Sequence, residues 1–262
     1  MPNMNTLSKS FANSSVMGKF FRYPIDVIPV LVVLVFFACQ LALFFLVDNM
    51  VWIIAIVFAL SLIQGVIVAA NHNHHHLNYF RNKYLNRILE IIMYLQTGTS
   101  PYTWTLHHNL GHHKMYLDPK NEPAKWMRED GTVMGEWEYT LITTWNIYPK
   151  CFEIGKKHKN ILKYFIIFLF IANVPLVLLF MLDFYKTLWI FFIPMIMMLI
   201  RLSKVTYGHH AGRNYKDVYQ ASVTDTNKYF NLITFNAGYH LAHHLKEKIH
   251  WSRLDKTKFH LQ

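Results

Sequence analysis

Polar residues interrupt this chain only at intervals, and the apolar runs between them predict four membrane-spanning helices. These are Ile28 to Val47, Met50 to Ala70, Tyr164 to Leu182, and Thr187 through Leu202 toward His210. The first three approach the roughly 20 residues needed to cross the hydrocarbon of a bilayer. The fourth has only Thr187 to Ile200 before Arg201, so it must continue into the headgroup region with Arg201 and Lys204 snorkelling. One such run would suit a buried core helix, but four leave too little polar chain to cover a soluble core.

The connections sharpen this picture. Asp48-Asn49 follows the first run and Asp183 to Lys186 the third, so each pair of runs predicts a helical hairpin. Each hairpin returns to the side it left, which puts the N-terminus, the segment Asn71 to Lys163 and the tail from Ser203 on one face. Lys186 alone among 26 lysines and arginines is assigned to the opposite face, which marks the shared face as cytoplasmic, in a cell inner membrane or endoplasmic reticulum type of bilayer. Ile88 to Leu95 is too short to span and is expected to lie along the interface. Trp104, Trp126, Trp137, Trp145, Trp189 and Trp251 fall outside the middles of the spans, as rings at headgroup level do.

Composition agrees, with 53% hydrophobic and 16% charged residues in 262, against roughly 25% charged in soluble domains. The chain reads as one domain, 1–262, and Met1 to Asp26 shows no cleavable signal pattern. A net charge of +11 suits anionic lipid headgroups first and an acidic electron donor second; the basic residues are too scattered for nucleic acid. Two cysteines, Cys39 and Cys151, are too few for a disulfide framework or a four-thiolate redox centre, so any electrons consumed must come from an external donor.

Candidate chemistry lies in the histidines. Thirteen of the 16 fall in four clusters: His72, His74, His75 and His76; His107, His108, His112 and His113; His209 and His210; His240, His243 and His244. The hairpin argument puts all four at one membrane face. An isolated histidine beside a membrane usually anchors or bonds a carbonyl, which is the reading for His158, His250 and His260. Clusters differ, because protonation would set like charges together, whereas a metal binds the neutral rings and removes the conflict. Imidazole suits zinc, copper, nickel and iron alike, but eight or nine ligands exceed one tetrahedral zinc and point to two metals.

The spacings His72-x3-His76, His108-x3-His112-His113 and His240-x2-His243-His244 resemble the three histidine boxes of the membrane-bound fatty acid desaturase-like superfamily. So do the stretch from His76 to Asn86, the approach Phe235 to His240, and His250-Trp251 with Leu254, although Asp255 stands where a proline is common. The resemblance runs from Ile28 to Leu254. It implies an all-α membrane protein, two hairpins carrying a cytoplasmic helical cap, and two irons held by His72, His76, His108, His112, His113, His210, His240, His243 and His244. His210, in His210-Ala-Gly212, is preferred to His209 as the ninth ligand. His74, His75 and His107 are left as supporting or interfacial residues, with His74 read as interfacial; Asn71, Asn109 and Asp118 are candidates to orient ligands or simply cap turns.

The implied activity is oxygen-dependent attack on a fatty acyl chain, carried as a lipid, a thioester or a free fatty acid, with electrons from a ferredoxin, rubredoxin or cytochrome type of donor. Desaturation comes first. The spacing of the second box also occurs in alkane hydroxylases, so hydroxylation and decarboxylation to a terminal alkene stay open. A membrane metal carrier is the competing class, opposed by the absence of charge or histidine in the middles of the spans.

Overall fold

The computed structural model describes residues 17–257 and, among them, consists of helices joined by turns, with no strand beyond two isolated bridges. His260 and the first 16 residues lie outside the described residues. In chain order the principal helices are α1 (Val27–Leu46), α2 (Met50–Ile63), α3 (Gly65–His76), α4 (Lys83–Thr97), α5 (Trp104–His112), α6 (Glu136–Gly155), α7 (Lys159–Leu182), α8 (Ile193–His210), α9 (Lys228–Ile233) and α10 (His240–Leu245).

Three stretches are long and apolar enough to cross a membrane: Pro24–Leu46, Lys159–Leu182 and Phe184–His210. A fourth exists only if α2 and α3 are taken together, because the chain bends by 48° at Gln64. The expected straight run Met50 to Ala70 is therefore broken. The bend is stabilised by polar groups: Arg201 Nη1 donates to the Ser61 and Leu62 carbonyls at 3.3 and 2.8 Å, and Gln64 Nε2 donates to the Gln96 carbonyl at 2.6 Å. Carbonyls released from a helix in an apolar setting need such partners. Gly65 makes room for one of them, since a Cβ there would lie 2.6 Å from the Arg201 guanidinium carbon.

At the far end the two short turns meet. Asn49 Oδ1 accepts from the Val51 and Trp52 amides and caps α2, while Asp183 accepts from the Lys186 amide. Lys186 Nζ then donates to Asp48 at 2.8 Å and to the Phe44 carbonyl at 3.1 Å, tying one turn to the other. Between the turns and the histidines, Leu43, Phe44, Ile53, Val57, Leu176, Ile190 and Phe191 form one apolar core.

Ile88 to Leu95, expected along the interface, falls within helix α4, which packs against its neighbours. Its amphipathic face buries Leu89, Met93, Tyr94 and Leu95 among α1, α3, α7 and α8, and Gln96 Nε2 donates to the Val33 carbonyl. Helix α6 instead carries the exposed apolar face, with Trp137, Leu141 and Trp145 at four-residue spacing. Trp104 and Trp251, expected at headgroup level, are buried, their indole N–H groups donating to Thr99 and to Asp26.

Candidate metal centre

Four segments bring the imidazoles together: the C-terminal turns of α3 and α8, helix α5 with His113 directly after it, and the short α10. The first group contains His72, His76, His108, His113 and His243; the second contains His112, His210, His240 and His244. Within each group the ligand atoms all lie within 4.8 Å of one another. Every one of the nine sequence-predicted positions is in one group or the other, and His209 is in neither: its ring stacks on His240 at 4.1 Å.

Edge lengths say more than membership. In the first group Nε2 atoms form a closed ring: His72 to His108 at 2.9 Å, His108 to His113 at 3.0 Å, His113 to His243 at 2.9 Å and His243 to His72 at 3.1 Å. His76 presents a fifth, buried Nε2 with no hydrogen-bond partner. In the second, which is not a simple ring, His112 to His210, His210 to His240, His240 to His244 and His244 to His112 are 3.1, 2.9, 3.1 and 3.2 Å, and His210 to His244 is also 3.2 Å. A neutral imidazole has one N–H donor and one acceptor, so it cannot satisfy two such neighbours through a single nitrogen. Nitrogens about 2.1 Å from a shared ion and at right angles to it are roughly 3 Å apart, so a cation at the middle of each group fits the donor set.

Supporting contacts set the tautomers. His210 Nδ1–H donates to the Ala221 carbonyl at 2.9 Å, and His112 Nδ1–H donates to Glu122 Oε1 at 3.0 Å, leaving each Nε2 lone pair directed into the second group. The Ala124 amide also donates to Glu122 Oε1, at 2.8 Å. Burial first, and neighbouring imidazoles next, hold His108, His240, His243 and His244 well below the usual histidine range. Neutral rings are the form a metal requires. His107, half-buried beside them, is pushed down to about 3 by the same desolvation.

The remaining candidates have other roles. His74 is fully buried, not interfacial: its Nδ1 accepts from the Tyr79 amide and its Nε2–H donates to Glu90, which also pairs with Arg87. Burial raises the Glu90 carboxyl. His75 donates to the Asn71 carbonyl, Asn109 to the His75 carbonyl, and Asn71 to Thr99. Asp118 holds its own exposed turn through Lys120 and Asn121, but its carbonyl accepts from the Glu122 amide and so helps present that carboxylate. His250 donates to Asp26 at 2.8 Å and joins the C-terminal segment to the start of α1. Sequence reasoning missed Glu122 and Glu90, because each reaches its histidine across a turn or between helices and no periodic spacing marks the pair.

Two features build the loop that carries α10. Phe235 and Asn236 take left-handed backbone angles, and Asn236 Nδ2 donates to the Trp251 carbonyl. Gly238 is pinned between Asn231 Oδ1 and the Asp225 amide, and a Cβ at that position would collide with the Asp225 carbonyl oxygen.

Beside the histidines is a cavity of about 600 Å³, reached by His72, His108, His112 and His240 and lined largely by apolar side chains such as Phe36, Val66 and Ile147. That volume falls within the usual range for small-molecule sites. A family model described as fatty acid desaturase matches residues 48–261, the region holding all nine imidazoles and most of the cavity wall. The chain belongs to the fatty acid desaturase family. No curated protein and no solved structure matches it. For a fatty acid desaturase family member the relevant chemistry is oxidation of fatty acyl chains, and a largely apolar cavity with histidines in its wall is compatible with such a substrate.

Proposed function

We propose that this protein is an oxygen-dependent, di-iron fatty acid desaturase. The observation that carries the reading is the convergence of nine imidazoles into two groups at one end of an apolar cavity. His72, His76, His108, His113 and His243 would hold one iron, and His112, His210, His240 and His244 the other. Bound iron supplies oxygen activation strong enough to remove hydrogen from an unactivated carbon.

The chain's own side chains do the rest. Ala221 and Glu122 fix two rings with Nε2 free, the cavity walls hold an acyl chain against the histidines, and buried Trp104, its ring 5.1 Å from His108 and 5.3 Å from His72, excludes water there. Electrons come from an external donor protein, since Cys39 and Cys151 are free and Cys151 is buried with its thiol pushed well above the usual range. We read the spans as two hairpins, α1 with the bent α2–α3 pair and α7 with α8, with the histidines on the cytoplasmic side. The Asp48–Lys186 contact between the two turns supports this topology, and the charge asymmetry supports the orientation.

Expression in a lipid-defined host, followed by mass spectrometry of fatty acids and volatile hydrocarbons, tests the reading. New double bonds with about two retained irons per chain are the expected result. Hydroxylated acids or shortened terminal alkenes would assign a different outcome to the same centre, and metal flux without lipid oxidation would replace the enzyme with a carrier.

A further inference from the structure

The cavity wall contains one charged side chain among the described residues, Arg201. It stands at the open end, where Leu62, Ile63, Leu232 and Ile233 are all more than half exposed, while His112 and His240 are buried at the other. Its Nη1 caps the carbonyls freed by the bend at Gln64, but no carboxylate of the described residues pairs with the guanidinium, and its Nε and Nη2 make no hydrogen bond there. The nearby Lys204 is engaged elsewhere, with Glu136 and over the Trp137 ring.

Resting on the function proposed above, we propose that Arg201 receives the carboxylate of a free, single-chain fatty acid whose tail runs inward to the histidines. One uncompensated cation matches one anionic head, and a planar guanidinium binds a carboxylate through two parallel N–H groups. A thioester or an ester carbonyl has no charge to offer it. Position agrees as well: Arg201 lies 17 residues into the span Phe184–His210, about 26 Å along a helix, close to the ~30 Å depth of hydrocarbon where acid heads collect.

The arrangement also constrains where the chain is attacked. Arg201 rests on Gly65, which is seven residues from His72 on α3, and is itself nine residues from His210 on α8; these are axial separations of about 10 and 13 Å. An extended carbon chain advances about 1.2 Å per bond, so the carbon beside the histidines is roughly eight to eleven bonds from the head. This separation disfavours loss of the carboxyl carbon, which needs the head beside the centre.

The test is binding to the purified full-length protein as isolated, without reductant, in neutral detergent, with octadecanoic acid, its methyl ester and a single-chain lysophosphatidate as probes. The acid is expected to bind wild type on the order of ten- to hundredfold more tightly than the ester, with Arg201→Gln erasing that difference and Arg201→Lys restoring part of it; the acid-to-ester ratio is the readout because Arg201 also caps the bend that shapes the wall. Gly65→Ala, which keeps the charge but pushes the guanidinium aside, should lower the acid-to-ester affinity ratio. Equal affinity of wild type for acid and ester overturns the proposal whatever the variants do, and tighter binding of the lysophosphatidate reassigns Arg201 to a lipid phosphate. If wild type oxidises a bound acid, attack next to the head overturns the orientation; a chain that binds acids through Arg201 but oxidises none retains the anchor and loses the desaturase reading.

Discussion

Replacing Glu122 with alanine removes the acceptor for His112 Nδ1–H and for the Ala124 amide, both in buried surroundings. His112 then keeps its place in the second group but loses what fixes its ring and tautomer. Loss of such a supporting contact typically weakens a metal site ten- to a hundredfold, about 1.4–2.7 kcal/mol. The first group shares no member with the second and has five nitrogens of its own, so the loss should be selective. Titrating the iron-loaded protein with a graded chelator should show one of two metals leaving Glu122→Ala at a tenth or less of the wild-type chelator concentration, the other being retained. Glu122→Gln keeps an oxygen acceptor and should fall between. Glu247, at 3.8 Å from His113 Nδ1, is beyond hydrogen-bond distance, and Glu247→Ala should change release less than threefold. Release of both metals in parallel from Glu122→Ala, or of neither, would refute the assignment of His112 to a separate second site.

Other consequences are equally concrete. His243→Ala should lower bound iron and abolish product without preventing membrane insertion, whereas His158→Ala, at the start of α7, should leave both intact; metal analysis and fatty acid profiles check the pair. His107, His108, His240, His243 and His244 are held below the unfolded value near 6.5, so the unfolded chain binds protons first as pH drops. Stability of the metal-free protein should therefore be full above about pH 6.5 and decline below it, by about 1.4 kcal/mol per buried imidazole per pH unit, continuing for His107 toward pH 3. Denaturant midpoints measured from pH 8 to 5 should fall in that direction, and a rise would contradict it. Gly238→Ala forces the α10 loop off Asp225 and should cost about 1–3 kcal/mol and loosen the second group, read as a lower unfolding midpoint and easier metal release.

The parts of this molecule legible in sequence are those written in local spacing. Apolar runs near 20 residues announced the spans, and clustered histidines announced the centre, because both depend on neighbours along the chain. What was hidden depends on partners far apart. The bend at Gln64 is stabilised by Arg201, 137 residues on, and by Gln96; Ser61, Gln64 and Gly65 interrupt the run Met50 to Ala70, but nothing local to it names those distant partners. His74 looked interfacial because a charged partner for it, Glu90, sits on a different helix. The inward face of α4 was equally concealed, since an amphipathic pattern tells which side is apolar without telling what covers it.

The sorting of ligands between the two groups follows from helix geometry that the spacing alone misstates. On an α-helix, residues four apart share a face, and His72 with His76 and His240 with His244 each serve a single group. The second box departs from this rule: His108 joins His113, five residues on, and not His112. The cause is that Trp104–His112 is wound as a π-helix, whose i to i+5 repeat brings residues five apart into line. Adjacent residues meanwhile diverge around the axis, so His112 and His113 face different groups, as do His243 and His244. Each doubled histidine thus contributes to both groups and holds one next to the other. Rewinding α5 to α geometry would align His108 with His112, move a nitrogen from one group to the other and break both; the π turn is a condition for two separate histidine groups in this sequence.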